Sequence, residues 1–312
     1  MFSLFAAVFL TGSAEYAITL AGSLSSRDIG QHVTYNPGNM TNVTKDKGKS
    51  LPSTLYTEEY FLTACEGYDV FLESEGVHLS RRLRDAFAVA DVRPGMRLLD
   101  VGCGRGEILR HCMRLGIAAY GVDYAEVATL MSRDVVASEQ QTSDTPARAG
   151  VYRSDAKHLP FPSGCFDRVL MFDVVEHLYP WELHEAMIEV RRVLKPDGLF
   201  IIHTAPNRWY DRYAYPWVRR FRHLLGHGER YPQDPRAITP VNQDVHVNEQ
   251  DIVSMRRALN EAGFQGKIWL DSPPQERREN LLVESLRWTA FHVPPFRWFF
   301  ERELFAVAKK QA

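Results

Sequence analysis

Leu98-Leu99-Asp100-Val101-Gly102-Cys103-Gly104-Arg105-Gly106-Glu107 is the stretch on which the fold turns. The apolar run Met96–Val101 reads as a buried strand that breaks into closely spaced glycines. Arg105–Leu115 then reads as a helix, with Ile108, Leu109, Cys112 and Met113 as its buried stripe and Gly116 as its stop. Small residues between a strand and a helix let a ligand come close to the backbone, and the helix N-terminus favours an anionic group. The spacing is G-x-G-x-G. A dinucleotide fingerprint needs glycine at position 107, where Glu107 stands, and this disfavours a nicotinamide dehydrogenase.

Outward from this stretch, strands and helices alternate. Ala118–Val122, Val151–Ser154, Phe166–Phe172 and Leu199–His203 read as further strands, with a helix over Ala125–Val136. Leu183, Ala186, Met187, Val190, Val193 and Leu194 mark another helix, and Pro196-Asp197-Gly198 a turn after it. Asn248 is placed to cap a helix whose apolar face is Ile252, Met255, Leu259 and Ala262 and which Gly263 ends. Lys267–Leu270 and Leu304–Ala308 complete the strands. Such alternation implies a parallel α/β sheet covered on both faces. Upstream, Tyr56, Tyr60, Phe61, Tyr68, Phe71 and Leu72 suit short helices. Leu79, Leu83, Phe87 and Ala90 share one helical face that ends at Pro94-Gly95.

Composition narrows the function. The 312 residues carry a formal net charge of −2, and with a pI near 6.6 the chain lacks the basic footprint of a nucleic-acid binder. Cys65, Cys103, Cys112 and Cys165 form no C-x-x-C pair, and the expectation is reduced thiols in a cytoplasmic protein. Residues 1–53 read as a poorly ordered extension. Met1–Leu10 is an apolar tip without the positive flank of a signal peptide, Asn39 and Asn42 begin glycosylation-type triplets, and Thr41–Ser53 has linker composition. Met40 is an alternative start.

Three further motifs sit at strand ends, where open α/β sheets bind ligands. Asp123, closing Tyr120-Gly121-Val122-Asp123 before Tyr124, lies about 20 residues past the glycines, where an acid can accept both hydroxyls of a ribose. Its alternative is an acidic helix cap. Asp155 in Ser154-Asp155-Ala156 can accept from the exocyclic amine of adenine. Phe166–His177 is a strand that runs into the polar tip Asp173-Val174-Val175-Glu176-His177.

In order and spacing, DVGCGRGE, GVDYA, SDAKHLPFP, FDRVLMFDVVEHL and RVLKPDGLFIIHTAPN resemble the class I S-adenosylmethionine-dependent methyltransferases, closely from Arg97 to about Asn207 and more loosely beyond. The resemblance implies a Rossmann-like, doubly wound seven-stranded sheet whose last strand, Leu304–Ala308, inserts antiparallel. It implies S-adenosyl-L-methionine as cofactor, with Gly102, Cys103 and Gly104 along the methionine portion and Gly106 in the same loop. Asp100 would order that loop, Asp123 would hold the ribose, Asp155 and Ala156 would bracket the adenine, Phe172 would pass near the sulfonium end, and Tyr124 and Asp173 would also belong to the cofactor site. The organisation expected is an extension (1–53), a helical cap (54–95), the cofactor-binding core (96–206), an insertion (207–247) and a closing helix and strands (248–312).

Methyl transfer from a sulfonium needs alignment in a dry site. A hydroxyl acceptor also needs a base, and His177 is the first candidate, ahead of His203 and His246. The alternative is that Glu176-His177 only shapes the loop. Asp173, Glu176 and His177 together could hold a divalent ion, as a similar pattern resembles that of ubiquinone-pathway O-methyltransferases, which have Glu at the first position. With the shorter Asp173, no metal is expected.

In the insertion, Trp209, Tyr210, Tyr213, Tyr215, Trp217 and Phe221 interleave with Arg208, Arg212, Arg219, Arg220 and Arg222, and Pro216 breaks any single long helix. It reads as a packed subdomain, as an acceptor lid, or, as the minor reading, as an interfacial membrane contact joined by Phe291–Phe300. The function expected is methyl transfer to a small-molecule or saccharide-type acceptor at oxygen. The alternatives are nitrogen or carbon methylation and a non-catalytic cofactor-binding protein.

Overall fold

A computed structural model describes residues 48–142, 147–224, 226, 228–272 and 281–311. The apolar tip, Asn39 and Asn42 lie outside the described residues. The strands are β1 (Arg97–Val101), β2 (Ala118–Asp123), β3 (Ala149–Arg153), β4 (Phe166–Phe172), β5 (Leu194–Thr204), β6 (Phe264–Asp271) and β7 (Glu303–Lys310). The helices are α1 (Tyr68–Ser74), α2 (Arg81–Ala88), α3 (Glu107–Arg114), α4 (Glu126–Thr142), α5 (Pro180–Val193), α6 (Tyr215–Leu224), α7 (Asn242–Val245), α8 (Ile252–Glu261), α9 (Leu281–His292) and α10 (Phe296–Phe300).

The strands form one seven-stranded sheet of order β3-β2-β1-β4-β5-β7-β6. β1 to β5 pair in parallel, and β7 enters antiparallel between β5 and β6, as the resemblance implies. Successive side chains of a strand point to opposite faces, so the sheet feeds two cores. On one face Leu99, Val169, Met171 and Ile202 pack against Leu183, Met187 and Val190 of α5 and Met255 and Leu259 of α8. On the other, Leu98, Leu170, Ile201 and Phe305 pack against Phe87 of α2 and Ile108, Leu109, Cys112 and Met113 of α3. The order reverses at β1 and β4, so a crevice opens beyond the carboxyl ends of these two strands.

Several local expectations are corrected. Order starts before residue 54, since Leu51 is buried and packs into the site described below. Asn248 does not cap the late helix. Asp251 does, accepting from the amides of Val253 and Ser254 while Ser254 Oγ accepts from the Asp251 amide. Pro196–Gly198 is no separate turn but a bulge within β5, between the pairs Phe166–Leu194 and Arg168–Leu199. Pro216 does not break the insertion. A π-helical turn, Tyr210–Ala214, runs directly into α6, and the change from π to α bonding falls just before Pro216, which has no N–H to offer the preceding turn. The four cysteines are free thiols. Among the described residues no helix is long and apolar enough to cross a membrane.

Gly121 of β2 lies under the turn that follows β1. A Cβ there would sit 2.8 Å from Cys103 Sγ and from Leu109 Cδ1. Gly121→Ala is therefore expected to cost about 1–3 kcal/mol by overpacking. The readout is a lower urea midpoint with an unchanged m-value.

Candidate functional site

The crevice opens to solvent and encloses about 1220 Å³ with the solvent at its mouth included. Its floor is the turn after β1. The amides of Gly102 and Cys103 both donate to the Val122 carbonyl, at 2.8 and 3.0 Å, and Ser132 Oγ donates to the Gly104 carbonyl at 2.7 Å. Gly102 has φ +80°, and a Cβ on it would lie 2.3 Å from Val174 Cγ2, so only glycine fits.

Asp123 ends β2 opposite this turn. Its Oδ2 accepts from the Gly104 amide at 3.0 Å and its Oδ1 from the Ala125 amide at 2.8 Å. Burial pushes its pKa up to about 6, against the pull of those two amides. It thus ties the start of the next helix to the glycine turn and walls the crevice, and each oxygen keeps a lone pair for a ligand.

Of the residues expected at the site, Asp100, Gly102, Cys103, Gly104, Asp123, Tyr124, Asp155, Ala156, Phe172, Asp173 and His177 all line the crevice. Gly106 does not. It faces α4, where a Cβ would be 3.0 Å from Ser132 Cα. Asp100 does not order the glycine turn, whose bonds go to Val122, Asp123 and Ser132. Its carboxyl is buried, and desolvation followed by the Asp123 charge raises its pKa to about 8. Asp155 is already engaged by Lys157, through the backbone amide at 2.9 Å and Nζ at 2.9 Å.

Sequence reasoning missed the roof of the crevice. Ser50, Leu51, Tyr56, Tyr60, Phe61, Cys65 and Glu66 line it, whereas none of the described residues of 207–247 does. The roof is bolted down by Arg105, which donates to the carbonyls of Phe61 at 2.7 Å and Glu66 at 2.6 Å. Glu107 holds the Arg105 guanidinium at 2.8 Å, and both side chains are buried. The pair sits within the glycine motif itself, and an arginine two residues before a buried acid was the available signal.

At the inner end, Val175–His177 forms a 3₁₀ turn. His177 Nδ1 lies 3.1 Å from the Val245 carbonyl. A carbonyl can only accept, so Nδ1 carries the proton and Nε2 keeps its lone pair. Burial lowers the His177 pKa to about 4, and the ring meets Tyr56 edge-on at 5.7 Å and His246 at 5.0 Å. Among the described residues one group could hold a metal ion, and it is not the Asp173, Glu176 and His177 set weighed from the sequence. Ligand atoms of Glu176, His177 and His246 lie within 4.8 Å of one another, while Asp173 stands outside.

Asp173 has φ +53° and pairs with His203 Nδ1 at 2.9 Å and Arg82 at 3.5 Å. Through this pair, β4, β5 and α2 meet under the crevice. His203 therefore does not face an acceptor as a base. Asp173 raises its pKa to about 9 against the desolvation, and the imidazolium with Arg82 holds Asp173 well below the usual carboxylate range. Glu176 is buried beneath, and desolvation followed by the Asp173 charge raises it to about 8. Thr204 Oγ1 donates to it at 2.7 Å. Besides Asp100, the crevice lining carries six carboxyl side chains against Arg105 and Lys157, a balance that suits a cationic ligand.

Residues 99–202 match the family described as a methyltransferase domain. The chain is 27% identical over 216 residues to the ubiquinone/menaquinone biosynthesis C-methyltransferase UbiE of Bordetella avium, covering 64% of this chain and 78% of that one. It is 36% identical over 132 residues to the ubiquinone biosynthesis O-methyltransferase of Maricaulis maris, covering 42% and 49% of the two chains. In fold it resembles a chain in the complex between the Haloferax volcanii Trm112 methyltransferase activator and the putative methyltransferase. The TM-score there is 0.51 at 17% identity, over 82% of this chain and 99% of that one.

The ion pair beneath the crevice has a pH signature. His203 keeps its proton in the fold up to about pH 9, whereas in the unfolded chain it loses it near ~6.5. Its stabilisation is complete below the unfolded value and disappears as pH rises through the folded one. Between pH 7 and 10 the protein is expected to lose about 2 kcal/mol more than a His203→Gln variant does, read by urea unfolding at each pH. Equal losses would remove the ion pair as a source of stability.

Proposed function

The chain being a class I S-adenosylmethionine-dependent methyltransferase, we propose that it methylates a hydroxyl borne on a ring of a small molecule, with His177 taking the hydroxyl proton. The carrying observation is the unprotonated Nε2 of a histidine on the crevice wall, its other nitrogen fixed by the Val245 carbonyl. S-adenosyl-L-methionine supplies an electrophilic methyl carbon together with its own leaving group.

The residues of the crevice have distinct tasks in this reading. Asp123 accepts the ribose hydroxyls while it holds the Gly104 amide. Gly102 to Gly104 admit the methionine portion against bare backbone. Asp155 and Ala156 flank the adenine with Tyr124, and Phe172 and Asp173 stand at the inner end. Asp100, neutral at pH 7, can donate a hydrogen bond where an ionised acid could not. The roof of Tyr56, Tyr60 and Phe61 excludes water and offers ring edges to a planar acceptor.

The acidity of the hydroxyl separates the acceptors, since a lowered imidazole is a weaker base towards all of them alike. A base of pKa about 4 faces a gap of ~6 units, or ~8 kcal/mol, to a phenol of pKa ~10. To an aliphatic hydroxyl, close to water at ~15.7, the gap is ~16 kcal/mol. A hydroxyl on an aromatic ring is therefore favoured over the saccharide alcohol, which is aliphatic. A second reading, methylation at a ring carbon, has in its favour the relative named as a C-methyltransferase, which aligns with 64% of this chain. Turnover of phenolic and aliphatic panels with a labelled methyl donor, with NMR of the product, separates these outcomes. Methylation of alcohols but not of phenols would overturn the proposal.

Asp123→Ala is expected to weaken cofactor binding by about 1.5–3 kcal/mol, since charge-assisted bonds are lost. Calorimetry giving the wild-type affinity would sink the ribose assignment. His177→Ala is expected to lower kcat by ~10²–10⁴-fold at saturating cofactor, with cofactor affinity near wild type. Undiminished turnover would remove His177 as the base.

A further inference from the structure

We propose that the outer face of α6, continued by the π turn before it, docks on a lipid bilayer with anionic headgroups. Tyr213, Trp217, Arg220 and Leu224 follow one another at spacings of four, three and four residues, which places them on a single narrow face of the helix. All four are exposed, Trp217 by 56% and Leu224 by 84%. The opposite face is already satisfied. There Ala214, Tyr215 and Val218 are buried, and Tyr215 and Val218 pack with Tyr231, Tyr210 and Phe300. The fold thus uses one side of this helix and leaves an apolar stripe on the other.

The charges beside the stripe state what covers it. Arg220 lies over the Trp217 ring at 5.0 Å and Arg212 over the Tyr213 ring at 5.5 Å. Among the described residues neither guanidinium is ion-paired with a carboxylate. Residues 207–230 hold six arginines and two carboxylates in a chain of net charge −2. Arginine flattened on an exposed aromatic ring keeps its charge at headgroup level while the ring and an aliphatic tip enter the apolar boundary. A protein partner would instead be expected to present carboxylates to this face, and a nucleic acid would leave the Leu224 tip without a role. The neighbouring α10 packs on the π turn, Phe299 meeting Tyr213 at 5.6 Å, and carries the exposed Trp298. No described helix can span a bilayer, so the contact is peripheral.

The test is co-sedimentation of the full chain with vesicles of phosphatidylcholine alone and of phosphatidylcholine with one-third phosphatidylglycerol. Wild type is expected to partition at least tenfold more strongly onto the anionic vesicles and to release as salt is raised. Trp217→Ala with Leu224→Ala is expected to cut that partition at least tenfold. Arg212→Gln with Arg220→Gln should abolish the preference for anionic lipid. Melting temperature and cofactor affinity are expected to stay at wild-type values, since these side chains lie outside both cores and the crevice. Equal partition of wild type and the Trp217/Leu224 variant would overturn the proposal. So would a stripe-dependent dimer, seen by light scattering, without vesicle binding, because a second copy would then be the occupant.

Discussion

The Val122 carbonyl, accepting two consecutive amides of the β1 turn, is the constraint from which the rest of the site follows. It pulls the chain across the end of β2 just as β1 ends, with Gly102 in a left-handed backbone, and the chain then returns as α3 packed on one face of the sheet. The next residue of β2, Asp123, then takes the Gly104 amide. Turn and acid are therefore locked together before any ligand arrives. Pre-organisation of this kind reduces what binding must immobilise. It also explains why the crowding at Gly121 matters, since this glycine lets the bent turn lie on β2.

The antiparallel last strand does more than close the sheet. It brings Glu303 up to His203 at 3.7 Å and to Arg81 at 2.5 Å, so the strand inserted between β5 and β6 contributes a charge beneath the crevice. His203, Asp173, Arg82 and Glu303 form one buried group in which each charge offsets the desolvation of the next. Removing one member leaves the others uncompensated, and the tip of β4 carries His177 only four residues beyond Asp173. The geometry at the proposed base thus depends on charges contributed by α2, β5 and β7.

Much of this was legible in the sequence because it rests on local signals. Period-two and period-3.6 patterns located the strands and the helices, and the glycine turn with Asp123 at its spacing located the crevice. What failed was non-local. Nothing about Ser50–Glu66 marks it as a roof until Arg105, some forty residues on, is seen to hold its carbonyls. Asn248 and Asp251 are both good caps by type, and only the chain path, which sends the Asn248 amide to the Glu176 carbonyl, chooses between them. The aromatic and arginine residues of the insertion read equally as lid, core or surface. The composition was correct, but the side of the helix on which each residue falls was decided by Tyr231 and Phe300, which belong to other segments.

The insertion is also fixed at both ends, and this gives its position mechanical meaning. Asn207 Nδ2 donates to the Trp298 and Glu301 carbonyls, and Arg208 pairs with Asp251. At the other end, Val247 and Asn248 donate to the Glu176 carbonyl while the Val245 carbonyl holds His177 Nδ1. A segment anchored so closely to β4 and α10 cannot swing over the crevice as a free flap without breaking buried hydrogen bonds, each costing on the order of 1 kcal/mol or more. Covering the crevice is left to the N-terminal roof, held by Arg105, by Lys157 on Ser50 and by the packing of Phe61 on Ala125 and Ala128. The insertion supplies a rigid shelf, one end of which sets the tautomer of His177 while its outer helix faces away from the sheet.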